Sequence, residues 1–141
     1  MAETDAAASA YRQPKAHKLL WRGFVAACPA CGGRKLFPKL FHMVEDCPRC
    51  GLHFERIEGH WIGAIGLNTV ATFGSMFATM IGGVIATHPD TEPLPLTIVL
   101  VVMALGVPTV FWPSSRTMWT GLDIAMRPLE PHEVDWTRVR P

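Results

Sequence analysis

Apolar and polar positions in this chain are separated into long blocks rather than interleaved. Residues 61–86 run for 26 positions without a charged side chain, and residues 94–113 for another 20. Neither block keeps a polar face at helical or strand spacing, the pattern of an element with apolar surroundings on every side. At 1.5 Å of rise per residue the first block makes about 39 Å of helix and the second about 30 Å, against a hydrocarbon core of about 30 Å. The pattern predicts transmembrane helices over 60–87 and 94–113. The alternative, a buried helix of a soluble domain, fails because a chain of 141 residues has too little else to enclose it. Pro108 removes one backbone hydrogen bond from the second run and is expected to kink it, which membrane helices tolerate. Trp61 and Trp112 fall near the ends of the runs, at the level where amphipathic rings settle.

The remaining segments are short. Residues 1–16 are polar and rich in small side chains, have no apolar core of a secretory signal, and read as a disordered tail. Residues 17–27, HKLLWRGFVAA, combine Leu19, Leu20, Trp21, Phe24 and Val25 with Lys18 and Arg22. This amphipathic segment lies either on the membrane surface or against the cysteine-containing module that follows. Over 114–127, Met118, Trp119, Leu122, Ala125 and Met126 recur at helical spacing, with Ser115 available as an N-cap and Pro128 as a stop. That stretch is read as an interfacial helix or a cytoplasmic extension of the second span. Residues 128–141 have no periodicity and form either a disordered tail or an arm laid on a partner, with Trp136 as its anchor.

Charge adds direction. Nine of the 13 Lys and Arg lie in residues 1–60 and none in residues 61–113. The short connection between the blocks carries Asp90 and Glu92 but no Lys or Arg, whereas Arg49 and Arg56 precede the first block and Arg116 and Arg127 follow the second. The positive-inside rule therefore places both termini and the cysteines in the cytoplasm of a plasma membrane, where thiols stay reduced.

All four cysteines sit in residues 28–56. Cys28, Cys31, Cys47 and Cys50 give the spacing C-x2-C-x15-C-x2-C, which belongs to four-thiolate zinc sites, with rubredoxin-like iron or a redox dithiol as alternatives. Gly32 and Gly51, each after the second cysteine of a pair, let the chain turn back so that both sulfurs face one ion. The fifteen residues between the pairs are read as a short hairpin with Phe37, Phe41 and Phe54 as its core. With four thiolates supplied, His42 and His53 are surface residues or supports rather than ligands. The fold class expected is therefore a membrane all-α protein, a two-helix transmembrane hairpin, with a small N-terminal zinc-ribbon β module held by a structural Zn2+.

Within the first span Gly74, Ala78, Gly82 and Ala86 recur every four residues, a stripe that lets another helix approach closely, whether the second span or a different subunit. Asn68 is the one amide near the start of that span, and nothing in the sequence makes it a site. No acidic or basic residue lies at mid-bilayer, and no nucleophile–base pair or phosphate loop is evident, so an enzyme or transporter is not expected. The basic residues of the module are offset by Glu45, Asp46, Glu55 and Glu58, and a tethered module has anionic lipid headgroups within reach. No nucleic-acid partner is expected.

The two CPxCG knuckles, the KLF after the first, the CGLHFE after the second and the two spans together resemble the bacterial small membrane proteins classed as domain of unknown function 983. The resemblance covers roughly residues 20–128 and rests on Cys28, Cys31, Cys47 and Cys50 with Gly32, Leu36, Phe37, Gly51, Leu52 and Phe54. The EGHWIGAIGLN stretch before and into the first span departs from the acidic, glycine-rich stretch of many relatives, and both tails differ. The resemblance implies no catalytic activity. It implies an association with haem–copper oxidases and, for the actinobacterial type, the role of an accessory subunit of the respiratory cytochrome bc–cytochrome c oxidase supercomplex. The alternatives it leaves are a transient assembly or metal-insertion factor and a membrane-tethered regulator that binds nucleic acid or protein.

Overall fold

The computed structural model describes residues 13–39 and 41–139. Three helices form in chain order: α1 (Ala16–Phe24), α2 (His60–Thr87) and α3 (Pro93–Met126). The contacts of α2 with α3 run in opposite order along the two helices: Gly83 meets Leu96, Asn68 meets Pro108 and Gly63 meets Trp119. The pair is thus an antiparallel hairpin, with the connection at one end and the cysteine segment, α1 and the C-terminal tail at the other. No residue in the most apolar 18-residue stretch of either helix is buried by the rest of the chain. A core helix of a soluble protein would be covered over such a stretch, whereas α2 and α3 are long and apolar enough to cross a membrane.

The small residues that close this hairpin are not the predicted stripe. A methyl group added at Gly63 would lie 2.0 Å from the Trp119 ring, and one at Gly83 would lie 2.5 Å from Leu96. Gly74 and Gly82 would meet nothing within 4 Å, and Ala78 and Ala86 are exposed. Of the two partners considered for the stripe, the second span is excluded within this chain, because α3 packs on the face of Ala64 and Asn68 instead.

Two expectations need correction, and one is decided between its alternatives. The stretch over 114–127, read as an interfacial helix or an extension of the second span, is the end of α3, which runs through Pro108 and Pro113 for 34 residues, about 51 Å. Pro113 forfeits only one hydrogen bond, while Ser115, Thr117, Thr120, Gly121, Asp123 and Ile124 beyond it are all buried and hold the continuing turns in place. The β module has no strand among the described residues. Its backbone pairs only at isolated bridges, Lys39 with His42 and Asp46 with His53. Lys35 at φ +69° breaks the extended conformation, and Pro38 has no N–H to offer a ladder. Residues 128–139 fold back on this chain's own cysteine segment, burying Leu129 and Val134. Of the tail expected over 1–16, residues 1–12 lie outside the described residues. Gln13, by contrast, donates to the Ile124 carbonyl at 3.0 Å, capping the end of α3.

The core gathers at this end. Leu19 from α1, Leu36 and Leu52 from the cysteine segment, Ile124 from α3 and Leu129 and Val134 from the tail surround the four cysteines. The crossing of α1 over α3 is close enough to need glycine on both sides. A methyl at Gly23 would lie 2.6 Å from Met118 Cα, and one at Gly121 would lie 2.9 Å from the Leu19 carbonyl. The Thr117 hydroxyl fills the remaining gap by donating to the Gly23 carbonyl at 2.6 Å, one of the carbonyls that the end of α1 leaves without a helical partner.

Candidate metal centre

Each cysteine pair folds into the same knuckle. Cys28 N–H donates to the Gly33 carbonyl and Gly32 N–H returns to the Cys28 carbonyl; Cys47 N–H donates to Leu52 and Gly51 N–H returns to Cys47, all at 2.7–2.9 Å. Gly32 and Gly51 both sit at φ +73°, where any other residue is strained, so the glycine after each CPxC is required by the turn. At Gly32 there is a second reason. The Arg22 guanidinium lies 3.1 Å from where a Cβ would stand, because Arg22 donates to the Pro29 and Ala30 carbonyls at 3.1 and 2.6 Å. Arg22, read in the sequence as part of the amphipathic segment, holds the first knuckle to α1.

The two knuckles face each other and bring the four sulfurs within 4.8 Å of one another. Cys28 Sγ is 3.7 Å from Cys50 Sγ, and Cys31 Sγ is 3.7 Å from Cys47 Sγ. Disulfide sulfurs would stand about 2.05 Å apart, so none of these is a bridge. A tetrahedron with metal–sulfur bonds of about 2.3 Å has edges of about 3.8 Å, and the observed spacing fits that frame. The four residues predicted as ligands can therefore hold one metal ion, and four thiolates suit zinc or iron. All four are buried, Cys28 and Cys50 completely.

The thiols do not behave alike. Interaction with Cys28 lowers the Cys31 thiol to about 7, and Cys28 and Cys31 lower Cys47 further. Cys28 is pushed up by Cys31, Cys47 and Cys50 and by burial. Gly33 N–H adds a 3.2 Å bond to Cys31 Sγ. Four thiolates packed this closely repel one another, so ionising all four requires a cation among the sulfurs.

A clamp that sequence reasoning missed lies beside the centre. Arg56, just past the second knuckle, donates Nη1–H to Asp123 of α3 at 2.9 Å and binds Glu133 of the tail through Nε and Nη2 at 2.8 and 2.9 Å. The Arg56 side chain is 11% exposed and that of Asp123 7%. Burial by itself would lower the Arg56 pKa, but the bonds and charges of Glu133 and Asp123 outweigh it and hold the guanidinium above its usual value. The tail then reaches the centre itself, with Asp135 N–H donating to the Cys50 carbonyl at 2.9 Å. The available signal was Asp123, the one charge in the last turns of an otherwise apolar and hydroxylated helix. His53 pairs with Asp46 on the surface and His42 is exposed, so neither histidine joins the sulfurs.

Comparison with protein-family models, with curated proteins and with solved structures finds no match to this chain.

Proposed function

We propose that this chain is a two-span protein of the bacterial plasma membrane and a non-catalytic accessory subunit of a larger membrane complex, with structural zinc in its cysteine centre. The observation that carries the reading is a closed, buried four-thiolate centre clamped directly onto the extension of a membrane helix. Four thiolates on one ion leave no position for water or substrate, so the ion holds shape. Burial of all four sulfurs favours a resident structural ion over one handed on to a client. The exposed Gly74, Ala78, Gly82 and Ala86 stripe on α2 offers a close-approach face to a helix of another subunit.

The charge asymmetry of the loops supports a cytoplasmic centre and cytoplasmic termini. Trp21 and Phe24 on α1 and Val25 at its C-cap are exposed, and Phe24 lies 6.4 Å from Phe111 of α3. That continuity supports seating α1 among lipid headgroups. The host complex comes from the motif resemblance and is the respiratory cytochrome bc–cytochrome c oxidase supercomplex.

The test is affinity purification of the tagged protein in mild detergent, with mass spectrometry, metal analysis and a haem absorbance spectrum of the eluate. The proposal expects one zinc per chain and oxidase and cytochrome bc subunits in stoichiometric amounts. A haem-free eluate with only trace partners would overturn the accessory role in favour of a transient factor, and iron in place of zinc would overturn the metal assignment.

A further inference from the structure

Two hollows follow one another along the seam between α2 and α3. The deeper, of about 400 Å³, is walled by Ile65 and Phe73 of α2, Pro108 and Trp112 of α3, and Phe41 of the loop between the knuckles. The outer, of about 90 Å³, is walled by Trp61 and Ala64 of α2, Arg116 of α3 and Met43 of the same loop. Trp61, Ile65, Asn68 and Thr72 recur three or four apart on α2, as do Thr109, Trp112, Arg116 and Thr120 on α3, so both hollows lie on one face of the hairpin. They join at Trp112. The Arg116 guanidinium lies over the Trp112 ring, 5.6 Å from its centroid, and Phe41 meets the same ring edge-on at 6.2 Å. Phe41, Ile65 and Phe73 are exposed, so the pair forms an apolar trough that opens sideways and ends at a cation.

The cation is unspent. Arg116 is half-buried, and apart from its place over Trp112 the guanidinium makes no hydrogen bond or ion pair among the described residues. Attraction to a ring face leaves the N–H edge free for an acceptor. The neighbouring hydroxyl is already used: Thr120 donates to the Arg116 carbonyl at 3.1 Å and lies 3.3 Å from His60 Nε2. Glu45 and Glu55 also border the outer hollow, both exposed and neither in an ion pair among the described residues.

The inference rests on the two-span reading above. With α2 and α3 in a bilayer, Arg116 stands just past the charge-free run that ends at Pro113, at the level of lipid headgroups. Pro108 lies eight residues, about 12 Å, deeper. An occupant that fits both ends carries an acceptor for the guanidinium and, in the same molecule, an apolar chain at least about that long. Phosphate matches the planar donor edge of arginine, and an acyl chain suits aromatic and aliphatic walls. One guanidinium and two carboxylates border the outer hollow, so a headgroup of net negative charge is disfavoured and one that carries its own cation is not. We propose that this groove holds one zwitterionic phospholipid. Its phosphate sits on Arg116, its ammonium faces the Glu45 and Glu55 side, and one acyl chain lies along Trp112, Phe41 and Phe73.

The experiment has two stages. Alkaline carbonate extraction of membranes carrying the full chain comes first. Release of the chain would overturn the two-span reading and this inference with it, whereas a retained chain that fails the lipid test overturns this inference only. Native mass spectrometry of the metal-loaded chain in detergent then counts lipids bound during titration with dioleoylphosphatidylethanolamine, dioleoylphosphatidylglycerol or dioleoylglycerol. One phosphatidylethanolamine per chain is expected, with affinity at least about tenfold lower for either other lipid and for Arg116→Gln. Arg127→Gln, which removes an exposed arginine outside the groove, should bind as the native chain does. The proposal is overturned if phosphatidylethanolamine gives no saturable adduct, if either other lipid matches it, or if Arg116→Gln keeps the native affinity. Equal weakening by Arg127→Gln would overturn it as well, by showing general charge attraction. Should Arg116→Gln lose its metal, the comparison of lipids on the native chain decides alone.

Discussion

Arg56 and Glu133, 77 positions apart, close two parallel hydrogen bonds of 2.8 and 2.9 Å, and through them the C-terminal tail is tied to the second knuckle. The same guanidinium holds Asp123, so one side chain joins the cysteine segment, α3 and the tail. Removing it strands two carboxylates, one of them almost fully buried. Arg56→Ala is expected to destabilise the folded module by about 3 kcal/mol and free residues 128–139 for proteolysis. Unfolding in denaturant and limited digestion measure both, and unchanged protection of the tail would contradict the clamp.

The clamp also sets a pH dependence. Burial alone would raise the Glu133 pKa, but the Arg56 bonds and the Glu130 N–H outweigh it and hold it below the usual 4.5. A carboxyl depressed on folding contributes stability that is fully present above its unfolded value and is lost as pH falls through the folded one. Tail protection against an acid-tolerant protease should therefore be flat from neutrality to about pH 4.5 and fall below it. Glu133→Gln should abolish that acid step.

Metal removal should dissolve the module and leave the hairpin. Binding of an ion to four thiolates contributes on the order of 10 kcal/mol to folding of such knuckles. Chelation, or Cys28→Ser or Cys47→Ser, is expected to release α1 and the tail from α3 while the helix content of α2 and α3 persists. Metal analysis with circular dichroism tests this, and normal metal content in both serine variants would refute the four-thiolate centre.

Glycines divide into two classes with opposite expected outcomes. Gly23→Ala and Gly121→Ala drive a methyl into backbone at 2.6 and 2.9 Å and should each cost about 1–3 kcal/mol. A Cβ at Gly82 meets nothing within 4 Å, so Gly82→Leu should leave the isolated chain's thermal stability unchanged while lowering recovery of partner subunits from the membrane. Equal partner recovery with Gly82→Leu would remove the stripe from the proposed interface.

The two long apolar helices and the cysteine cluster were legible because each is written in one stretch of chain: charge-free runs of membrane length, and paired cysteines with a glycine behind each. The tertiary attachments were not. Whether 114–127 continues the span depends on Thr117 and Ile124 finding burial against α1, which no local pattern states. The ribbon failed as β structure because Lys35 takes a left-handed conformation that propensity does not foretell. Asn68 looked incidental in sequence, yet its side-chain N–H ties α2 to the Pro108 carbonyl of α3, a contact between helices that no local pattern states. The small-residue stripe was visible, but its spacing is silent about which neighbour fills it, and α3 does not.

Because α3 is unbroken from Pro93 to Met126 and the cysteine-bearing head is gripped around its last turns, the head cannot slide along the helix. From Pro113 to Ile124 is eleven residues, about 16 Å of rigid rise. The chain is in this respect a ruler: with α3 set in a membrane as proposed, its head would stand at a fixed height above the hydrocarbon boundary. A receiving surface must lie at that height, and adding or deleting one residue in this stalk would also swing the head by about 100° around the helix axis.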